Sequence, residues 1–169
     1  MFKYIKWMPY ILYGLIGAIL YCIPVTFFLG KANFSEAWLL YLGNLLFCII
    51  IALFLFHFNN TRKQNAGTLA MLVAGHIATV IGIVISCLFC FILLVIYVPD
   101  IFQPGVTDKV LKHAPANTIE DKTSGLAFMI FANAIVGNFS AGFFVSIVFP
   151  FSLKGDQTKE KVPGKQAEL

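Results

Sequence analysis

The chain alternates between four long apolar runs and shorter polar connections. The runs cover residues 8–29, 38–58, 68–98 and 126–152. Each is close to or above the length of about 20 residues with which an α-helix crosses about 30 Å of hydrocarbon. They are too long and too continuously apolar for the strands of a membrane barrel. The pattern therefore predicts an all-α fold, a polytopic integral membrane four-helix bundle over residues 1–153.

The polar residues between the runs predict how the helices begin and what joins them. Ser35 and Ser124 precede the second and fourth runs and are predicted to be N-caps, while Pro24 is predicted to kink the first helix. The connection 99–123 is interrupted by prolines and is predicted to carry one short surface helix over 107–113. The polar tail 154–169 lacks apolar periodicity and is predicted to be a disordered cytoplasmic segment.

Basic residues are distributed unequally between the two sets of connections. Of the 12 lysines and arginines, eight lie in the N-terminal head, the second connection and the tail, and four lie in the other two connections. Since basic residues are enriched on the cytoplasmic side, the distribution predicts an N-in/C-in topology. The same flanking residues account for the formal net charge of +4, so the lipid bilayer is the expected partner and nucleic acid is not.

The basic head and first run could also be a signal peptide, because residues 30–32 form a small-x-small cleavage pattern. The apolar stretch of a signal peptide has about 7–15 residues, and this run is longer. We therefore expect the first run to be retained as a helix.

Composition excludes a soluble domain. Hydrophobic residues make up 59% of the chain and charged residues 12%, with a mean hydropathy of +0.85, whereas soluble domains have about 45–50% and about 25%. All four cysteines fall inside apolar runs, so the sequence predicts no disulfide framework for an exposed domain.

Small and polar residues of the third run share one face of a helix. In lipid, such residues mark a seam between helices because they allow close approach and can hydrogen bond across it. We therefore predict that this helix packs at the centre of the bundle with that face inward; a polar path or pocket lined by the same face is the less favoured alternative. The face comprises Thr68, Gly75, His76, Thr79, Gly82, Ser86, Cys87 and Cys90.

Asparagines in the second and fourth runs extend this pattern. Asn133, Gly137 and Ala141 recur in steps of four, the spacing of one helix face. A buried Asn can bond between helices or line a substrate path, and packing is favoured. The candidate polar seam or path consists of Asn44, His76, Thr79, Ser86, Asn133 and Asn138.

Two features suggest chemistry, and context weakens both. His76 is ionisable inside an apolar run, which is typical of a proton relay or ligand, but a span ending near Tyr97 places it at the inner headgroup level. Cys87 and Cys90 form a C-x-x-C pair, yet a mid-helix apolar position disfavours a reactive thiol. Soft-metal binding with a third thiol such as Cys48 stays open. We predict no catalytic residue, cofactor or metal site.

Two segments carry a family resemblance. These are Arg62-Lys63-Gln64-Asn65-Ala66-Gly67-Thr68 and Asn138-Phe139-Ser140-Ala141-Gly142-Phe143-Phe144-Val145-Ser146, followed by a lysine-bearing tail. With them the chain resembles a family of small four-helix inner-membrane proteins common in Bacteroidota, a family without an assigned function. The resemblance implies a multi-pass protein of a bacterial inner membrane and no site residues.

Three functions remain open from the sequence. The favoured one is a non-enzymatic accessory, assembly or scaffold component, which could bind a membrane-protein partner or form a homo-oligomer. The second is a small oligomeric transporter or channel with a polar path along the third helix. The third, a membrane thiol oxidoreductase using Cys87 and Cys90, is the least favoured.

Overall fold

The computed structural model describes residues 7–31, 33–61, 67–99 and 122–155, with the side chains of 125–153 in the last range. In order, the chain forms α1 (Trp7–Lys31), a 3-10 turn (Phe34–Glu36), α2 (Trp38–Thr61), α3 (Thr68–Tyr97), α4 (Lys122–Ala132), a π turn (Asn133–Gly137) and α5 (Asn138–Gly155). Within the described residues, four helical stretches are long and apolar enough to cross a membrane, the fourth being Gly125–Leu153 across α4, the π turn and α5. The predicted all-α class and four long apolar helices are confirmed.

Several sequence predictions fall outside the described residues. They include the short surface helix over 107–113, the disorder of the tail beyond residue 155, and most of the connection 99–123. The predicted N-cap at Ser124 is wrong, because α4 already begins at Lys122.

Side chains stabilise the turn between α1 and α2, but the capping residue is not the predicted Ser35. Asn33, rather than Ser35, is the N-cap residue here: its Oδ1 accepts a hydrogen bond from the Ser35 backbone N–H at 3.1 Å and begins the 3-10 turn. The Lys31 ammonium lies 2.8 Å from Glu36 Oε1, and Trp38 Nε1 donates to Glu36 Oε2 at 3.0 Å. These contacts tie the end of α1, which runs unbroken through Pro24, to the start of α2.

The helices α2 and α3 lie between α1 and α5. α1 lies against both of these helices, and α5 lies against both as well. α2 is the most enclosed: half of its most apolar stretch is buried, against 28% for α3. Phe47, Ile51, Phe54 and Leu55 of α2 are fully buried in the core. Five of the eight residues on the predicted inward face of α3 are buried, namely Gly75, Thr79, Gly82, Ser86 and Cys90. The other three, Thr68, His76 and Cys87, are half-buried.

α3 contacts α1, α2 and α5, as its predicted central position requires, but these helices cover only one side of it. The small residues on one side of α3 let neighbouring helices approach it closely. They cover only that side, so α3 is not surrounded by other helices. The other side of α3 exposes large apolar residues such as Val84 and Leu88.

The exterior of the bundle is apolar on every long helix. Phe27, Leu53, Leu88 and Phe144 are each more than half exposed. Continuous apolar surface of this kind is unfavourable in water, and it matches the surroundings that lipid provides. We call the end of the bundle that holds Lys31, Trp38 and Tyr97 the outer end, following the predicted topology.

Candidate functional site

The last span changes its helical geometry at Asn133–Gly137, where it makes a π turn. In an α-helix, residues five apart point about 140° away from each other, since each residue advances about 100°. In a π turn the hydrogen bond spans five residues, so Asn133 and Asn138 come close to the same face. The π turn thus directs both asparagines toward the bundle.

Asn133 meets α1 through the side chain of Tyr21. The Tyr21 hydroxyl donates to Asn133 Oδ1 at 3.0 Å, and the tyrosine ring is fully buried. A Cβ added to Gly43 of α2 would come within 2.9 Å of that ring. The absence of a side chain at Gly43 therefore makes room for Tyr21 to reach across to the last span.

Asn44 packs against the end of the π turn. Its amide group lies directly over Gly137, where an added Cβ would overlap it. One turn later, the Cys48 thiol faces the Ala141 carbonyl oxygen at 3.9 Å. The two contacts advance in the same direction along both helices, so α2 and the last span run parallel here.

α3 and α5 run antiparallel and touch through small residues. Added Cβ atoms at Gly75 and Gly142 would overlap Ser146 and Thr79, respectively. Ser146 Oγ donates to the Gly142 carbonyl oxygen at 2.6 Å and is satisfied within its own helix. The backbones of α3 and α5 can approach this closely only because glycine alternates with a hydroxyl residue across the seam.

Five buried side-chain atoms in this region have no hydrogen-bond partner: Asn44 Oδ1, Thr79 Oγ1, Ser86 Oγ, and both Nδ2 and Oδ1 of Asn138. Ser86 and Asn138 are fully buried, Thr79 is 2% exposed and Asn44 is 9% exposed. A polar group in an apolar interior without a partner is costly. We call Asn44, Ser86 and Asn138, together with the flanking Tyr21–Asn133 pair, the central polar cluster.

His76 lies apart from this cluster. Its ring meets the edge of Phe143 at a centroid distance of 4.7 Å, and its Nδ1 lies 2.7 Å from the Leu72 carbonyl oxygen. The side chain is half-buried. The structure therefore does not join His76 to the other predicted seam residues.

The cysteines do not form the group of Cys48, Cys87 and Cys90 that the soft-metal alternative would need. The thiol of Cys90 lies beside that of Cys22 on α1, whereas Cys48 faces α5. All four are free thiols. In the described part of the chain, no three His, Cys, Asp or Glu side chains are grouped so that they could hold a metal ion.

No protein-family model matches this chain. Neither a curated protein nor a solved structure matches it. The geometry described above is therefore the ground on which a function can be proposed.

Sequence reasoning found four members of the cluster and missed Tyr21. Asn44, Ser86, Asn133 and Asn138 stand out in the sequence because polar residues are rare in apolar runs. Tyr21 does not, since its ring makes it one more large hydrophobic residue in the middle of an apolar run. The sequence feature that could have indicated Tyr21 is Gly43, because a residue without a side chain in α2 leaves space for a large side chain of a neighbouring helix.

Proposed function

We propose that the protein is a non-enzymatic accessory, assembly or scaffold component of a bacterial inner membrane, spanning it four times with both termini in the cytoplasm. The resemblance to small inner-membrane proteins of Bacteroidota is part of this proposal. The observation that carries it is the close packing along the inward face of α3, where glycines of three helices contact neighbouring residues directly.

This packing extends along much of α3. Added Cβ atoms at Gly14 and Gly82 would lie 3.0 Å from Ile81 and 2.6 Å from Phe47, and Gly142 leaves no room beside Thr79. A polar path needs space between the helices, whereas these residues are used to bring helices into contact. The polar residues of the inward face thus support a rigid bundle, and this favours a structural role over transport.

A partner would meet such a bundle at its apolar exterior. Site-specific photo-crosslinking in native membranes tests this at exposed positions on different helices: Phe27 on α1, Leu53 on α2, Leu88 on α3 and Phe144 on α5. An assembly component is expected to give one discrete crosslinked product from one helix face and none from the others. Matched incorporation at buried Phe47 is the control for background.

The proposal also predicts the effect of removing the protein. Deletion of its gene is expected to reduce the amount of the complex that contains the crosslinked partner on native gels. Absence of a discrete product at all four positions would contradict the proposal. So would solute flux through the purified protein in liposomes, which would support the transporter instead.

A further inference from the structure

We propose that Asn44, Ser86 and Asn138 bind a single dehydrated alkali-metal cation, Na⁺ or K⁺, at the middle of the bundle. The site goes beyond the proposed function, because an assembly component requires no ion. Three side chains from three helices supply it, and each of them carries a buried oxygen without a hydrogen-bond partner.

The helix registers bring these residues to one level. The pairs Gly75–Ser146 and Thr79–Gly142 step by four residues in opposite directions. The next turn therefore places Asn138 opposite Ile83, three residues from Ser86, or about 4.5 Å along the helix axis. Asn44 packs on Gly137, the residue before Asn138.

The directions of the side chains bring Ser86 and Asn138 closer still. A helical side chain leans toward the N-terminus of its own helix. α3 runs toward the outer end and α5 runs away from it, so Ser86 leans toward the level of Asn138, and Asn138 leans toward the level of Ser86. Thr79 lies about 6 Å to the other side of that level and leans away from it.

The atoms without partners favour a cation over an anion. Four of the five are oxygens, and the two amide oxygens can only accept. An anion needs several N–H donors, of which this group offers only the Asn138 amide.

The neutrality of the ligands sets the charge of the ion. Hard cations prefer oxygen ligands, and proteins that bind Ca²⁺ or Mg²⁺ supply carboxylates. Asn44, Ser86 and Asn138 are all neutral. Because the cost of burying an ion rises with the square of its charge, neutral oxygens suit a monovalent ion. Soft transition metals prefer nitrogen and sulfur ligands, which this site lacks.

The site lies deep in the bundle. Asn138 is one residue from position 139, the midpoint of the stretch Gly125–Leu153, and it is fully buried. Transfer of a polar group to such surroundings without a hydrogen-bond partner is unfavourable. An ion bound to Asn44, Ser86 and Asn138 at once satisfies three of these groups.

The test uses the full chain in lipid nanodiscs and compares NaCl, KCl and choline chloride at equal ionic strength. A ligand that binds only the folded state raises the melting temperature. We expect NaCl or KCl to raise it by about 2–4 °C relative to choline chloride. Equilibrium dialysis with radioactive Na⁺ or Rb⁺, the latter a stand-in for K⁺, is expected to give one ion per chain.

Variants locate the site. Ser86→Ala removes one ligand oxygen and is expected to abolish the difference between alkali and choline salts. Thr79→Ala removes a buried hydroxyl of the same seam, and Ser140→Ala removes an exposed hydroxyl close to Asn138; both are expected to retain the difference.

Two results would overturn the proposal. One is an equal melting temperature of the unsubstituted protein in all three salts together with no bound ion, which would leave internal water as the partner of these atoms. The other is a salt difference that Ser86→Ala retains in full. If Ser86→Ala fails to fold, the dialysis of the unsubstituted chain still decides. The crosslinking experiment is independent of both readouts.

Discussion

Gly142 and Thr79 show how strongly single residues determine the packing of this bundle. Any side chain at position 142 would overlap the Thr79 hydroxyl and methyl groups, since both lie within the space a Cβ would take. The same holds at Gly137 beneath the Asn44 amide. Where contact is this close, an additional methyl group forces the neighbouring side chain or its helix to shift.

Gly142→Ala is therefore expected to destabilise the bundle by about 1–3 kcal/mol, the usual cost of overpacking. Unfolding in detergent, followed by fluorescence of Trp7 and Trp38, measures the effect. Gly125→Ala is the matched control, because an added Cβ there meets nothing within 4 Å. Alanine in that helix is expected to be neutral or to stabilise by up to about 1 kcal/mol.

A second substitution tests whether the overlap is the cause. Thr79→Ala removes both overlapping groups and is expected to restore most of the stability lost in Gly142→Ala. If the double variant is as unstable as the sum of the two single variants, the contact does not explain the loss.

The bond between Tyr21 and Asn133 connects the first span to the last. Tyr21→Phe removes the hydroxyl and keeps the ring, so it is expected to cost about 0.6–2 kcal/mol, the range for hydrogen bonds between helices in lipid. The same unfolding assay measures it. Tyr41→Phe is the control, since Tyr41 is 70% exposed. Equal losses in the two variants would show that the buried bond contributes nothing.

At the scale of elements, the π turn is the feature that the sequence did not predict. The step of four through Asn133, Gly137 and Ala141 assumes one regular helix over residues 126–152. The π turn interrupts that regularity, so Asn133 and Asn138 share a face although they are five residues apart. Apolar periodicity cannot reveal such a turn in a run where nearly every residue is apolar.

Deletion of Val136, an exposed residue of the π turn, is expected to convert the turn to regular α-helix. Asn133 and Asn138 would then be four residues apart, about 40° around a regular α-helix, so α4 and α5 both keep their orientation toward the bundle. Asn133 would stay beside Tyr21, and Tyr21→Phe would still reduce stability in the shortened chain.

Val136→Ala keeps the chain length and is the matched control. It is expected to preserve the full effect of Tyr21→Phe. Loss of the effect of Tyr21→Phe in the deletion variant would show that α4 has changed its orientation, which contradicts this geometry.

The helix ends were predicted with mixed success for a physical reason. The apolar runs gave the centres of all four spans, because burial in lipid requires a minimum apolar length. The predicted caps at Ser35 and Ser124 were wrong, since in one case Asn33 competes for the same role and in the other the helix extends through polar residues. Cap choice depends on local hydrogen bonds that composition does not specify.

For the whole molecule, the unequal distribution of basic residues predicts an N-in/C-in topology that can be tested. In a chain with its four cysteines replaced by alanine, Ser35→Cys and Gly67→Cys place single thiols at exposed positions at opposite ends of the bundle. A membrane-impermeant maleimide is expected to label Ser35→Cys in intact spheroplasts.

Gly67→Cys is expected to be labelled only after the membrane is opened, since it precedes α3 on the predicted cytoplasmic side. The reverse pattern would contradict the N-in/C-in topology. Labelling of both thiols in both conditions would contradict membrane insertion of the spans between them.

The sequence predicted the class of the molecule and the inward face of α3, because those follow from composition and periodicity. It did not predict which helix is most enclosed. Enclosure depends on how large side chains such as Phe47 and Phe54 fill the space between helices, and this is a property of the assembled packing. His76 and the cysteines likewise needed the structure before their neighbours could be named.

The contact pattern has a consequence for biogenesis. α1 packs on α2 and α3, and the last span then packs on the opposite side of that same pair. α1, α2 and α3 are synthesised before the last span, and together they form the surface that receives it. The last span can then pack against this surface during synthesis, and Gly137 and Gly142 are the positions where that packing requires a residue without a side chain.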